Sequence, residues 1–197
     1  MLRNVALLGS LALVLCACDR GAGEGAQETA ATDAPSQAAY EGNLGEIDRS
    51  LAGTRLPPLV FDDGEGNRLD LGALEGPVLV NLWATWCAPC VVEMPALDAL
   101  AGEMEGRLEV LTISQDLRGS EVVGPFFAAR DFVHLEQWLD PENELTEALA
   151  DGGALPVTIL FDAQGREVLR VAGGYEWDSE EAIAQVSEAL EAMENTP

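Results

Sequence analysis

Residues 78–83 form an almost continuous apolar run, Val-Leu-Val-Asn-Leu-Trp, which constrains the fold more than any other segment. A run this short and this apolar is typical of a β-strand that is covered on both faces. Such a strand belongs inside a sheet packed between helices, so the sequence favours an α/β domain. The composition agrees, because 48% of the 197 residues are hydrophobic and 23% are charged, which supports a packed core.

Predicted strands and helices alternate along the chain after residue 56. The predicted strands cover residues 58–61, 68–71, 78–83, 108–113, 135–139, 157–161 and 167–171. The predicted helices cover residues 88–105, 121–130, 142–150 and 178–193. The first two strands and the last two are each joined by a short turn-forming segment. They are therefore predicted to be hairpins, which makes the sheet mixed.

The first eighteen residues have the pattern of an export signal. Arg3 precedes an apolar run over residues 5–15, which is shorter than the roughly 20 residues that a membrane span needs. The motif Leu15-Cys16-Ala17-Cys18 resembles the bacterial lipobox, in which cleavage exposes a cysteine that receives a lipid. We expect a signal peptide over residues 1–17 and a lipid on Cys18. An ordinary cleaved signal peptide and a membrane anchor are the alternatives.

Two further segments are distinguished by composition. Residues 18–50 are rich in Gly, Ala, Glu, Thr, Ser and Gln and poor in large apolar side chains, which is typical of a flexible, acidic tether. Residues 51–197 are long enough for one domain. The formal net charge is −25, which disfavours nucleic-acid partners and electrostatic docking to anionic membranes. All ten basic residues are Arg, so Schiff-base chemistry and a P-loop lysine are excluded.

The cysteines indicate redox chemistry. If Cys16 leaves with the signal peptide and Cys18 is acylated, the mature chain keeps the thiols of Cys87 and Cys90. A single pair at this spacing, in a compartment that permits disulfides, is a redox pair or a strained local bridge. Cys87 falls at the start of a predicted helix, where free N–H groups and the helix dipole stabilise a thiolate. A zinc site would need two more ligands, and His134 is the single remaining candidate, so no metal is predicted.

The residues around this pair resemble a known family. The motif Trp83-Ala84-Thr85-Trp86-Cys87-Ala88-Pro89-Cys90, followed by Glu93-Met94-Pro95, is similar to the TlpA/ResA-type membrane-tethered thioredoxins. The resemblance covers residues 56–193. It implies a thioredoxin-like mixed sheet flanked by helices, with an N-terminal hairpin and one additional strand–helix unit. It also implies a thiol:disulfide oxidoreductase without a cofactor, in which Cys87 attacks the client disulfide and Cys90 resolves the mixed disulfide.

The same resemblance implies partners and a location. The clients would be proteins with disulfides, commonly apocytochrome c during haem attachment. Electrons would come from a membrane thiol transporter of the CcdA/DsbD type. The protein would then work on the periplasmic side of the inner membrane, held there by its lipid.

Four residues are expected to contact the client. Pro156 matches the proline of the thioredoxin fold that is cis and packs beside the cysteine pair. A cis proline exposes the backbone of the preceding residue, here Leu155, to an extended substrate. Trp86 and Pro89 flank the cysteines and are expected on the rim that the client touches.

Glu93 and Asn81 bear on proton transfer. Asn81 occupies the position at which thioredoxin itself has a buried Asp, so it cannot accept a proton. Glu93 matches the family's acidic residue near the dithiol, and we expect its carboxylate to take the proton of Cys90. The alternative for Glu93 is a solvated helix face.

A second hypothesis belongs to a different functional class. Soft thiolates select Cu(I), so Cys87 and Cys90 could hold a copper ion for delivery to an oxidase. The spacing and the lack of a third ligand count against this hypothesis. We therefore expect a structural or surface role for His134, and packing roles for Trp138 and Trp177.

Overall fold

The computed structural model describes residues 44–150 and 152–194. The predicted signal peptide, Cys18 and the predicted tether as far as residue 43 lie outside the described residues. The strands, in chain order, are β1 (Ile47–Asp48), β2 (Val60–Asp62), β3 (Arg68–Asp70), β4 (Val78–Trp83), β5 (Glu109–Ser114), β6 (Gln137–Leu139), β7 (Val157–Phe161) and β8 (Glu167–Ala172). The helices are α1 (Ala88–Glu103), α2 (Ser120–Ala128), α3 (Glu144–Ala150) and α4 (Glu180–Glu194).

The strands form one mixed sheet in the order β1-β8-β7-β4-β5-β6-β2-β3. Strand β4 lies in its interior, parallel to β5 and antiparallel to β7, and all six of its residues are buried. Leu79 and Trp83 pack with the apolar side chains of α1, α2 and α4, whereas the alternate residues Val80 and Leu82 pack with α3 and the β2–β3 hairpin. The prediction of a central strand that is covered on both faces is confirmed.

The N-terminal hairpin and the additional strand–helix unit are both present. Strands β2 and β3 pair with each other, and β2 joins the sheet beside β6. The additional unit consists of β6 and α3, which lie between α2 and β7 in the chain. The predicted mixed sheet flanked by helices is therefore confirmed. No helix of the described segments is both long and apolar enough to cross a membrane.

The sheet begins earlier than the sequence predicted. Ile47 and Asp48 pair with Val171 and Arg170 of β8, although both fall in the stretch assigned to the tether. Ile47 is half-buried and packs against the core between the sheet and the helices. A strand of two residues has no detectable periodicity. The average composition of residues 18–50 also conceals Ile47, the one large apolar side chain of this strand.

Candidate active site

Three segments meet at one edge of the sheet, where β4 and β5 end and β7 begins. Because β4 and β5 are parallel and in register, Trp83 and Ser114 end side by side. Strand β7 runs the other way, so Val157 lies opposite Leu82. The loop that carries the cysteines, the segment after β5 and the Leu155-Pro156 peptide are thereby brought to one edge of the sheet.

The two cysteines form a disulfide at the start of α1. Cys87 is the N-cap residue of this helix, and its Sγ accepts a hydrogen bond from the backbone N–H of Cys90 at 3.3 Å. Pro89 lies in the first turn, where its missing N–H removes no hydrogen bond from the helix. Cys87 is 6% exposed and Cys90 is 0% exposed. The sulfur of Cys87 is therefore the one that a disulfide from outside can approach.

The residues expected to contact a client lie around Cys87. Trp86 is 70% exposed, so its indole stands on the surface directly before the attacking cysteine. The Leu155–Pro156 peptide bond is cis, as the sequence predicted. Leu155 packs against the core cluster that contains both cysteines, and the Pro156 carbonyl accepts the N–H of Gly173 at 2.9 Å. These groups border the same edge of the sheet.

Glu93 is fully buried on the face of α1 that Cys90 shares. Its Oε1 accepts a hydrogen bond from Nδ2 of Asn81 at 2.8 Å, and its Oε2 accepts one from the backbone N–H of Tyr175 at 3.1 Å. Burial raises the pKa of Glu93 from 4.5 to about 8, because desolvation of the charged form outweighs the effects of Asn81, Tyr175 and Trp177, which favour it. The alternative of a solvated helix face is therefore wrong. Near neutral pH this carboxyl group is mostly the uncharged acid.

Other side chains around Glu93 were not anticipated as site residues. Asn81 also donates to the hydroxyl of Thr158 at 2.9 Å, which links β4 to β7 below the cysteines. The indole of Trp177 lies close enough to Glu93 to favour the charged form of the carboxyl group. The Nε1 of Trp177 nevertheless donates no hydrogen bond of ordinary geometry to any of the described residues. Strand alternation could have placed Thr158 opposite Asn81. Tyr175 contributes a backbone group, for which the sequence carries no signal.

The structure does not bring His134 to the cysteines. Its imidazole lies against Gly102, twelve residues beyond Cys90 on α1, which corresponds to about 18 Å along a helix. Among residues 44–150 and 152–194, no three His, Cys, Asp or Glu side chains are grouped so that they could hold a metal ion. The Cu(I) hypothesis therefore gains no third ligand from His134. Trp138 is buried in the other layer of the core, where it has a packing role.

Sequence comparison relates the chain to proteins of thiol–disulfide exchange. The AhpC/TSA family matches residues 52–170. The thiol-disulfide oxidoreductase ResA of Halalkalibacterium halodurans is 33% identical over 131 residues, which are 64% of this chain and 72% of that protein. ResA of Bacillus anthracis is 26% identical over 136 residues, 68% of this chain and 77% of its own length. The thiol:disulfide interchange protein HelX of Rhodobacter capsulatus is 30% identical over 127 residues, 63% of this chain and 69% of HelX.

Solved structures share the fold. A secreted thiol-disulfide isomerase from Corynebacterium glutamicum superposes with a TM-score of 0.59 at 21% identity, covering 79% of this chain and 95% of the other. The exposed lipoprotein thioredoxin of Streptococcus pneumoniae superposes with a TM-score of 0.57 at 22% identity, covering 66% of this chain and 97% of the other. The disulfide at the N-terminus of α1 agrees with the activity of these relatives. The chain belongs to the AhpC/TSA family and is a thiol:disulfide oxidoreductase of the TlpA/ResA type.

Proposed function

We propose that this oxidoreductase reduces client disulfides on the periplasmic side of the inner membrane, where a lipid on Cys18 anchors it. The observation that carries the proposed chemistry is the arrangement of three groups on α1. Cys87 lies at the N-cap, Cys90 is fully buried behind it, and a proton-binding Glu93 follows one turn later. The cysteine N-cap supplies an attacking sulfur whose negative charge the helix N-terminus stabilises.

The reaction begins with the reduced pair. The Cys87 thiolate attacks one sulfur of the client disulfide, which forms a mixed disulfide and releases the other client sulfur as a thiolate. Cys90 then loses its proton and attacks the Sγ of Cys87, which releases the second client sulfur. Two electrons pass from the dithiol to the client, and the products are a reduced client and the Cys87–Cys90 disulfide.

Glu93 is the proposed acceptor of the Cys90 proton. The structure holds the pair in its oxidised form, and in this form the pKa of Glu93 is about 8. The acid form of Glu93 is therefore the product expected after the carboxylate has taken the proton of Cys90. When the disulfide is reduced again, the same group can return that proton. Asn81, which donates its amide N–H to Glu93, orients the carboxyl group but does not accept the proton of Cys90.

Client recognition is assigned to the groups around Cys87. An extended client segment would form backbone hydrogen bonds at Leu155, beside cis Pro156, and would contact the exposed indole of Trp86. Pro89 fixes the other side of the cysteine loop. The resemblance in sequence supports apocytochrome c as a client and a CcdA/DsbD-type transporter as the electron donor.

Trapping of clients tests this function. The variant Cys90→Ser stops the reaction at the mixed disulfide, so proteins should accumulate on Cys87 and be released by dithiothreitol. The matched control combines Cys87→Ser with Cys90→Ser and should trap none. Acid quenching and alkylation of cells should find the wild-type pair mainly reduced. An empty trap would refute client exchange, and a mainly oxidised pair would identify an oxidase instead of a reductase.

A further inference from the structure

Asp116 is a buried carboxylate at the active-site edge that the exchange reaction does not use. It follows β5 and is 3% exposed. Its Oδ2 accepts the backbone N–H of Thr85 at 2.8 Å and the hydroxyl of Ser114 at 2.9 Å, and its Oδ1 accepts the hydroxyl of Thr85 at 2.7 Å. Three donors compensate the burial of its charge, and two of them come from the loop that carries the cysteines.

These hydrogen bonds act on the residue that precedes Trp86. The indole of Trp86 is 70% exposed, so packing restrains it little, and its direction depends on the backbone on either side of it. On the C-terminal side, the backbone N–H of Cys87 donates to the Ala84 carbonyl at 3.1 Å, which closes a turn. On the N-terminal side, Asp116 holds both the N–H and the hydroxyl of Thr85.

The anchor for Asp116 is itself rigid. The backbone N–H of Gln115 donates to the Trp83 carbonyl at 2.8 Å, which extends the β4–β5 pairing by one residue. The side chain of Gln115 accepts the hydroxyl of Thr146 on α3 at 2.7 Å. The Asp116 carboxylate is therefore fixed relative to the sheet, and it transmits that position to the cysteine loop.

We propose that Asp116 is a positioning residue, whose carboxylate holds Thr85 so that Trp86 and Cys87 keep the orientation in which Cys87 attacks a client disulfide. This inference rests on the proposed function. Asp116 has no hydrogen bond to either sulfur among the described contacts, and its effect passes through the backbone of Thr85. Loss of the hydrogen bonds between Asp116 and Thr85 would increase the mobility of Trp86. It would also slow attack on a protein client more than attack on a small disulfide, which does not reach Trp86.

Trp86 provides a readout that is independent of activity. The chain has four Trp, and Trp83, Trp138 and Trp177 are buried, so acrylamide quenching and the fast decay of fluorescence anisotropy report on Trp86. Asp116→Asn keeps the shape but leaves one acceptor oxygen for the two donors of Thr85. Thr85→Val removes only the hydroxyl, and Thr85→Ser keeps it. A second variant is thereby available if Asp116→Asn does not fold.

Asp98→Asn is the matched control. Asp98 is also a carboxylate that holds a loop, because it accepts the backbone N–H groups of Val133, His134 and Leu135, but this loop is remote from the cysteines. We expect Asp116→Asn to increase the fast anisotropy decay of Trp86 and to slow reduction of a protein disulfide such as insulin by about tenfold to a hundredfold. Thr85→Val should change both readouts in the same direction, and Thr85→Ser should restore them.

Reduction of a small disulfide should be slowed less by the same variants. Unchanged Trp86 mobility in Asp116→Asn and Thr85→Val would overturn the inference, as would equal losses in Asp98→Asn. If the wild-type protein fails to reduce insulin at all, the proposed function is wrong, while the anisotropy result still decides whether Asp116 orders the loop.

Discussion

The buried carboxyl group of Glu93 gives the protein a dependence on pH that can be calculated in advance. The pKa of Glu93 is about 8 in the folded protein and has its ordinary value of 4.5 when exposed. Each tenfold difference in proton affinity corresponds to about 1.4 kcal/mol, so the gap amounts to about 5 kcal/mol. Glu93→Gln removes the titrating group and keeps nearly the same shape, which isolates this contribution.

The direction in which stability changes with pH depends on whether the folded or the unfolded protein releases the proton of Glu93 at the lower pH. Below pH 4.5 the carboxyl group is protonated in both states, and it does not disfavour folding. Between pH 4.5 and about 8 the unfolded chain releases the proton while the folded protein keeps it, so the stability of the wild type falls as pH rises. By pH 7 this loss is about 3 kcal/mol. The glutamine amide cannot ionise, so the variant lacks this loss.

The variant also loses a hydrogen bond. Both carboxyl oxygens of Glu93 accept hydrogen bonds, from Asn81 and Tyr175, and the NH₂ group of glutamine cannot accept either of them. That loss costs about 1 kcal/mol or more and does not depend on pH. Glu93→Gln should therefore be less stable than the wild type near pH 4.5 and more stable near pH 8.

Urea unfolding of the oxidised proteins at intervals from pH 4.5 to 8.5 measures the difference directly. Glu103→Gln is the matched control, because Glu103 lies on the exposed side of the same helix. Its difference from the wild type should stay within about 0.5 kcal/mol at every pH. A difference between Glu93→Gln and the wild type that does not change with pH would refute the reasoning, since it would mean that the buried group keeps an ordinary pKa.

Three other predictions concern the anchor, the redox poise and proton transfer. Cys18→Ala should leave an unprocessed precursor without lipid, which mass spectrometry would detect, and maturation to the wild-type mass would contradict the anchor. A reductase should have a potential near roughly −270 mV rather than −120 mV when equilibrated with glutathione, and a value above about −150 mV would contradict the reductive direction. Glu93→Gln should slow the resolution of a preformed mixed disulfide in stopped-flow measurements. The wild-type rate should level off as pH passes about 8, whereas the slower rate of the variant, in which Cys90 has no carboxylate to accept its proton, should keep rising.

Much of the fold could be predicted from the sequence because its central elements are long and strongly patterned. Strand β7 begins and ends where the sequence predicted, and β4 does as well. Helix α1 was expected as far as residue 105 but ends at Glu103. Met104 is its C-cap residue, and the chain then turns at Gly106, which has a positive φ. The two-residue strand β1 escaped prediction, since pairing with β8 creates it and local pattern does not.

The candidate site shows the same division between local and distant signals. Cys87, Cys90 and the cis Pro156 were predictable, because short motifs mark them in the sequence. Asp116 was not, since two of its three hydrogen-bond donors, the backbone N–H and the hydroxyl of Thr85, lie about thirty residues away in the chain. The burial of Glu93 was also hidden, because a glutamate in a chain of charge −25 is ordinarily solvated.

The surroundings of Glu93 explain how one site can serve both protonation states. Asn81 directs Nδ2 to Glu93 and to Thr158, and none of the described residues donates a hydrogen bond to its Oδ1. This orientation suits the carboxylate, which only accepts hydrogen bonds. The neutral acid carries an O–H donor, and an amide turned by about 180° would present Oδ1 to it. The hydroxyl of Thr158 can donate or accept, so it fits either orientation. An aspartate at position 81 would lack the amide donor and would place a second carboxyl group beside the first. Asn81 therefore suits a site in which Glu93 carries the proton.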